Sequence, residues 1–133
     1  MNMKNVQKTD AEAPEKIVFH LLDRNSFEKW DQKTAYKPDD FAREGFVHLS
    51  TLAQIEGSAN RYFEKHLSIW VFKLESTLLG KPLRYESAAG LADRSGRFPH
   101  YYAALPTEAI IAQAEWQRDS TGTFLLASLA DFI

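Results

Sequence analysis

The chain has 133 residues, enough for one ordinary domain and too few for two of typical size. Hydrophobic types make up 44% and charged types 26%, a globular mix that excludes disordered and low-complexity classes. Sixteen Lys and Arg against eighteen Asp and Glu leave a net charge of −2, so the overall field has no strong pull on nucleic acid or an anionic membrane.

The opening MNMKNVQKTDAEAPEK is polar and lacks the apolar centre of a secretory signal. No apolar run reaches the ~18–20 residues that span a bilayer. Residues 1–15 read as a flexible leader, followed by a single domain over 16–133, expected in the cytoplasm. KIVFHLL at 16–22 predicts a buried strand. Ser26 is then placed to cap a helix carrying Phe27 and Trp30 on one side. Residues 34–44, with Pro38, Asp39 and Asp40, read as a loop, and GFVHLS at 45–50 as a second strand. Thr51 with Gln54 forms a capping-box pattern that opens the clearest helix, whose stripe is Leu52, Ile55, Ala59 and Tyr62.

LSIWVFKLE at 67–75 is apolar on both faces and predicts a central strand. PLRYE at 82–86 makes another short strand, and 87–97 a surface loop. Residues 98–103 and 109–117 read as strands, after which Phe124, Leu129 and Phe132 dock an end segment. The sum is an α+β domain, a twisted sheet of short strands, or two small sheets, with two packed helices.

Histidines carry most of the chemical information. Strand alternation puts His20 on one face with Val18 and Leu22, His48 with Phe46 and Ser50, and His100 with Phe98 and Tyr102. An imidazole in such a setting needs a partner, and separate structural histidines compete with a shared site. His66 lies between elements and reads as surface. Three imidazoles and a water are a known zinc arrangement, yet no HxH or HExxH spacing occurs. The chain has no cysteine, which excludes thiolate metal sites, disulfides and a cysteine nucleophile. The phosphate-loop and serine-elbow motifs are also missing. Arg84, Arg94, Arg97 and Arg118 form at most a solvated basic edge, while Trp30, Trp70 and Trp116 read as core. Glu86 is a candidate acid on a strand rim.

The ordered motifs FHLLD, GFVHLST, ANRYF, GKPLRYE and FPHYYAALP resemble the bacterial family catalogued as domain of unknown function 952. That family is similar to the ADP-ribosyltransferase-like fold, which binds NAD between two small sheets. The resemblance implies that His20, with His48, Ser50 and Thr51, binds the ligand. It implies catalytic roles for Glu86, His100 and Tyr101. NAD is then a substrate rather than a resident cofactor, and no bound metal or cofactor is expected. A nucleotide-like small molecule is the implied partner. An NAD-using glycosyl or ADP-ribosyl transferase, a histidine-metal hydrolase and a nucleotide-binding module without turnover all remain open.

Overall fold

The computed structural model describes residues 15–87 and 96–133. In chain order its elements are β1 (Ile17–Asp23), α1 (Arg24–Lys29), α2 (Phe41–Glu44), β2 (Val47–His48) and α3 (Leu52–Tyr62). They continue with β3 (Ser68–Glu75), α4 (Ser76–Leu79), β4 (Leu83–Ser87), β5 (Arg97–Tyr101) and β6 (Ile110–Gln117). Short 3₁₀ turns occupy Thr107–Ala109 and Leu126–Leu129.

The strands form two antiparallel sheets of three, ordered β1-β3-β6 and β2-β5-β4. Strand β3 is central, as its two apolar faces require: Ile69, Val71, Phe72 and Leu74 are fully buried. The sheets are tied where Phe19 and Ser50 exchange both backbone hydrogen bonds, at 2.8 and 2.9 Å. Tyr36 and Leu105 exchange another pair at 2.8 Å. These ties explain two departures from the sequence reading. The strand expected over 45–50 is divided, with Val47 and His48 pairing β5 while Ser50 pairs β1. The loop expected over 34–44 contains both the Tyr36 bridge and helix α2.

Among the described residues four short helices replace the two expected, and of these only α3 exceeds two turns. Asp23, not Ser26, caps α1: its Oδ1 accepts from the Ser26 N–H at 2.7 Å, so the helix begins before Ser26. At α3, the Gln54 Oε1 accepts from the Thr51 N–H at 3.0 Å, the side-chain half of the expected box. The apolar stripe is narrower than its sequence suggests. Ile55 and Ala59 are fully buried, but Leu52 and Tyr62 at the ends are 40% and 51% exposed. Only the middle of α3 is enclosed, and Ser58 shares its buried face.

One core cluster gathers around Phe72, which meets the rings of Trp30 and Tyr36 at 5.2 and 5.5 Å. The other holds Phe19, Ile55, Trp116, Phe124 and Leu129, so the end segment does dock, through Phe124 and Leu129. Trp30 and Trp70 pack at the edge of the first cluster. Arg118 belongs to no basic edge. Its guanidinium donates to the carbonyls of His66 and Gly122 at 2.6 and 2.7 Å and lies over the Phe124 ring. Arg94 and most of the loop over 87–97 lie outside the described residues, as does the expected leader apart from Glu15. Among the described residues no helix is long and apolar enough to cross a membrane.

Phe72→Ala removes a fully buried ring and is expected to cost about 3–5 kcal/mol. Leu67→Ala, at a residue 83% exposed, should stay within about 0.5 kcal/mol. Urea midpoints measured at unchanged slope test both, and equal effects would overturn the core assignment.

Candidate functional site

A cleft of about 660 Å³ opens at the junction of the sheets. His20, His48 and His100 all line it, and His66 does not. The backbone explains the gathering. Phe19 points into the second core cluster and pairs Ser50, so alternation turns the next residue, His20, to the opposite face. His48 and His100 are register partners in the neighbouring sheet, with ring centroids 5.4 Å apart.

His20 is buried, and its Nδ1 lies 2.8 Å from the His48 carbonyl oxygen. A carbonyl only accepts, so Nδ1 carries the proton and Nε2 a lone pair. Burial pushes its pKa down from 6.5 to about 4, outweighing the carbonyl bond, so the ring is neutral at pH 7. The Tyr36 ring lies 5.6 Å away, and burial raises the pKa of that phenol to about 12.

A row of polar groups crosses the second sheet. His100 Nδ1 lies 2.7 Å from Glu86 Oε1, and the Tyr102 hydroxyl donates to the same oxygen at 2.7 Å. The Tyr102 hydroxyl and then His100 hold the Glu86 carboxyl below its ordinary range. Burial lowers the His100 pKa, against the opposing effect of Glu86. His100 is thus a neutral ring whose Nδ1–H is directed by a carboxylate, a known way to orient a general base. Phe46 stacks on it at 4.1 Å and an interplanar angle of 19°. His48 Nε2 lies 3.1 Å from Glu44 Oε1 at the end of α2, and the His48 bond holds that carboxyl low.

Not every residue singled out by sequence reaches the cleft. Ser50 does, with its Oγ 2.8 Å from Ser58 Oγ. Thr51 is the cap of α3 and is not on the lining. Tyr101 is turned to the core, its hydroxyl donating to the Leu79 carbonyl at 2.8 Å, because it alternates with His100. Tyr102, two positions from His100, is the tyrosine that reaches Glu86. Glu86 is also off the lining, on the β4 side of His100. His66 is half-exposed, with Nε2 3.9 Å from Asp23 Oδ2, but its Nδ1 is buried without a hydrogen-bond partner among the described residues.

The sequence reading overlooked the carboxylates Asp23, Asp39, Asp40 and Glu44, and the ring of Phe46, all on the lining. Period-two spacing in F-x-H and H-x-Y was the available signal for Phe46 and Tyr102. Nothing local pointed to Glu44 or Asp23. Among the described residues no group of three or more His, Cys, Asp or Glu is placed to hold a metal ion.

Fold and cleft define a small single-domain α+β protein with two antiparallel sheets and a histidine-lined cleft at their junction. The chain belongs to the family described as protein of unknown function (DUF952), whose model matches residues 21–113. Protein CC0527 from Caulobacter crescentus has a similar structure. Its crystal structure is 25% identical with a TM-score of 0.68, over 84% of this chain and 96% of that one. Its solution structure gives 23% identity and a TM-score of 0.70, over 90% and 97%. No curated protein matches the chain.

Burying His20 neutral makes stability depend on pH. The unfolded ring takes up a proton below 6.5 and the folded one only near 4, so the unfolded state binds more protons between those values. Stability is therefore full above pH 6.5 and is lost as pH falls toward 4, by up to about 3 kcal/mol from this group. His20→Gln, which keeps an N–H for the His48 carbonyl, should flatten that slope in urea titrations. An unchanged slope would overturn the assignment.

Proposed function

We propose that the cleft holds the nicotinamide–ribose end of NAD, and that the chain is an NAD-using glycosyl or ADP-ribosyl transferase of ADP-ribosyltransferase-like architecture. The observation that carries this reading is His20: a buried, neutral imidazole with its proton committed to a backbone carbonyl. Such a ring offers Nε2 as a fixed acceptor for a ribose hydroxyl. The position between two small antiparallel sheets agrees with the family resemblance.

In this reading the C1′–N1 bond breaks with its electron pair leaving on nicotinamide, which becomes neutral. The ribosyl cation left behind is stabilised by the negative field of Asp23, Asp39, Asp40 and Glu44. An acceptor hydroxyl, or water, loses its proton to His100 Nε2 as its oxygen bonds C1′. Glu86, a candidate acid from sequence, acts here as a positioning residue that directs the His100 Nδ1–H. Its place off the lining also favours the second reading, a nucleotide-binding module without turnover.

Calorimetric titration with NAD and ADP-ribose, together with an assay of nicotinamide release, tests the reading. NAD should bind at millimolar concentration or better. His20→Ala should weaken binding by ~0.5–1.5 kcal/mol. Glu86→Gln should leave binding largely intact and slow release of nicotinamide. Binding without release supports the module. No binding of either ligand at millimolar concentration overturns both.

A further inference from the structure

The cleft is unusual in what its lining can offer. Asp23, Asp39, Asp40 and Glu44 contribute four carboxylates, and no Lys or Arg is among the described lining residues. Acidic residues alone would say little, since loop carboxylates are commonly solvated. Here a second observation meets them. His20 and His100 line the same cleft, are each 6% exposed, and commit Nδ1 to a protein acceptor. In each ring Nε2 is the nitrogen not engaged in that bond, and a neutral ring with its proton on Nδ1 carries a lone pair there. Carboxylates and two imidazole lone pairs make a wall dominated by acceptors.

The counter-charges come from outside the cleft. Lys29 lies 3.5 Å from Asp39, and Arg43 lies 3.7 Å from Asp40 and 3.3 Å from Glu44. The cationic side chains are 56% and 73% exposed and those of Asp39 and Asp40 83% and 40%, so solvent weakens these pairs, while Glu44 is 30% exposed and two cations leave the group of four carboxylates net negative. Phe46, Phe63 and Phe98 add flat apolar surface to the lining. An aromatic face beside carboxylates suits a planar cation. The same wall repels phosphate.

We infer that the cleft selects its ligand by positive charge, taking a planar cationic ring borne on a hydroxylated sugar and leaving any phosphate groups outside. This deepens the proposed function and rests on it only for the identity of the ring. An oxidised N-ribosyl pyridinium fits, and its neutral reduced form does not. Charge, rather than ring shape, is the discriminating property.

Nicotinamide riboside, its reduced neutral form, N1-methylnicotinamide and nicotinamide are the probes, titrated calorimetrically at two salt concentrations. Each cation should bind at least fivefold more tightly than its neutral counterpart, and added salt should shrink the ratio. Asp39→Asn with Asp40→Asn removes two lining charges. Asp40 makes no side-chain cap bond to α2, so the helix start is preserved. That double variant should lower the cation preference at least twofold while circular dichroism stays unchanged. Equal binding of cation and neutral partner overturns the inference and leaves NAD binding standing. Cation selection by the methylated and ribosyl probes, with no binding of NAD, supports the inference and overturns the proposed function. No binding of any probe overturns the inference.

Discussion

Two backbone hydrogen bonds between Phe19 and Ser50 organise this molecule. They take one residue out of the path of the second sheet and attach it to the edge strand of the first. The consequence is a very short β2 and a cleft with walls from both sheets. The neighbours of the bridge inherit fixed directions. Phe19 enters one core cluster, His20 faces the other way, and the Ser50 hydroxyl ties to Ser58 on α3. The His20–His48 bond spans the same junction, so fold and site share one set of contacts.

That arrangement has an energetic cost. An imidazole buried among Tyr36 and Phe72 forgoes its hydration, and a single carbonyl bond restores only part of it. What results is chemical definition: one tautomer, one protonation state and one free lone pair. His100 reaches a similar condition by another route, with a carboxylate at Nδ1 and a stacked phenyl ring in place of a carbonyl and a tyrosine. Around both rings the lining is rich in acceptors. Such a surface complements positive charge at the part of a ligand that lies against it. The family and the similarity to protein CC0527 identify the architecture, while the chemistry lies in these side chains.

Much of the framework was legible in local pattern. The doubly apolar 67–75 run had to be central in a sheet, and Thr51 with Gln54 marked the start of α3 through local bonding. Alternation placed each of three histidines on an apolar face, and the structure brings those faces to one cleft. Alternation also argued against Tyr101 and for Tyr102, because residues one apart on a strand point oppositely. The cap of α1 was misplaced because Asp23 and Ser26 are both good capping types, and the true cap is the last residue of β1. Arg118 looked like a surface cation because its partners are backbone carbonyls around residues 66 and 122, which carry no side-chain signal.

By itself, then, the sequence determined the central strand, the principal helix, and which face His20, His48 and His100 occupy, since these follow from periods of two and 3.6 residues and from bonding within a few positions. Only the tertiary structure decided that the strands divide into two sheets, that Ser50 crosses between them, and that Glu44 and Glu86 stand at opposite sides of the histidine row. Those outcomes depend on backbone groups and side chains distant in sequence meeting in space. The pKa of His20 belongs to the same class, because it is set by what surrounds the ring and not by its neighbours in the chain.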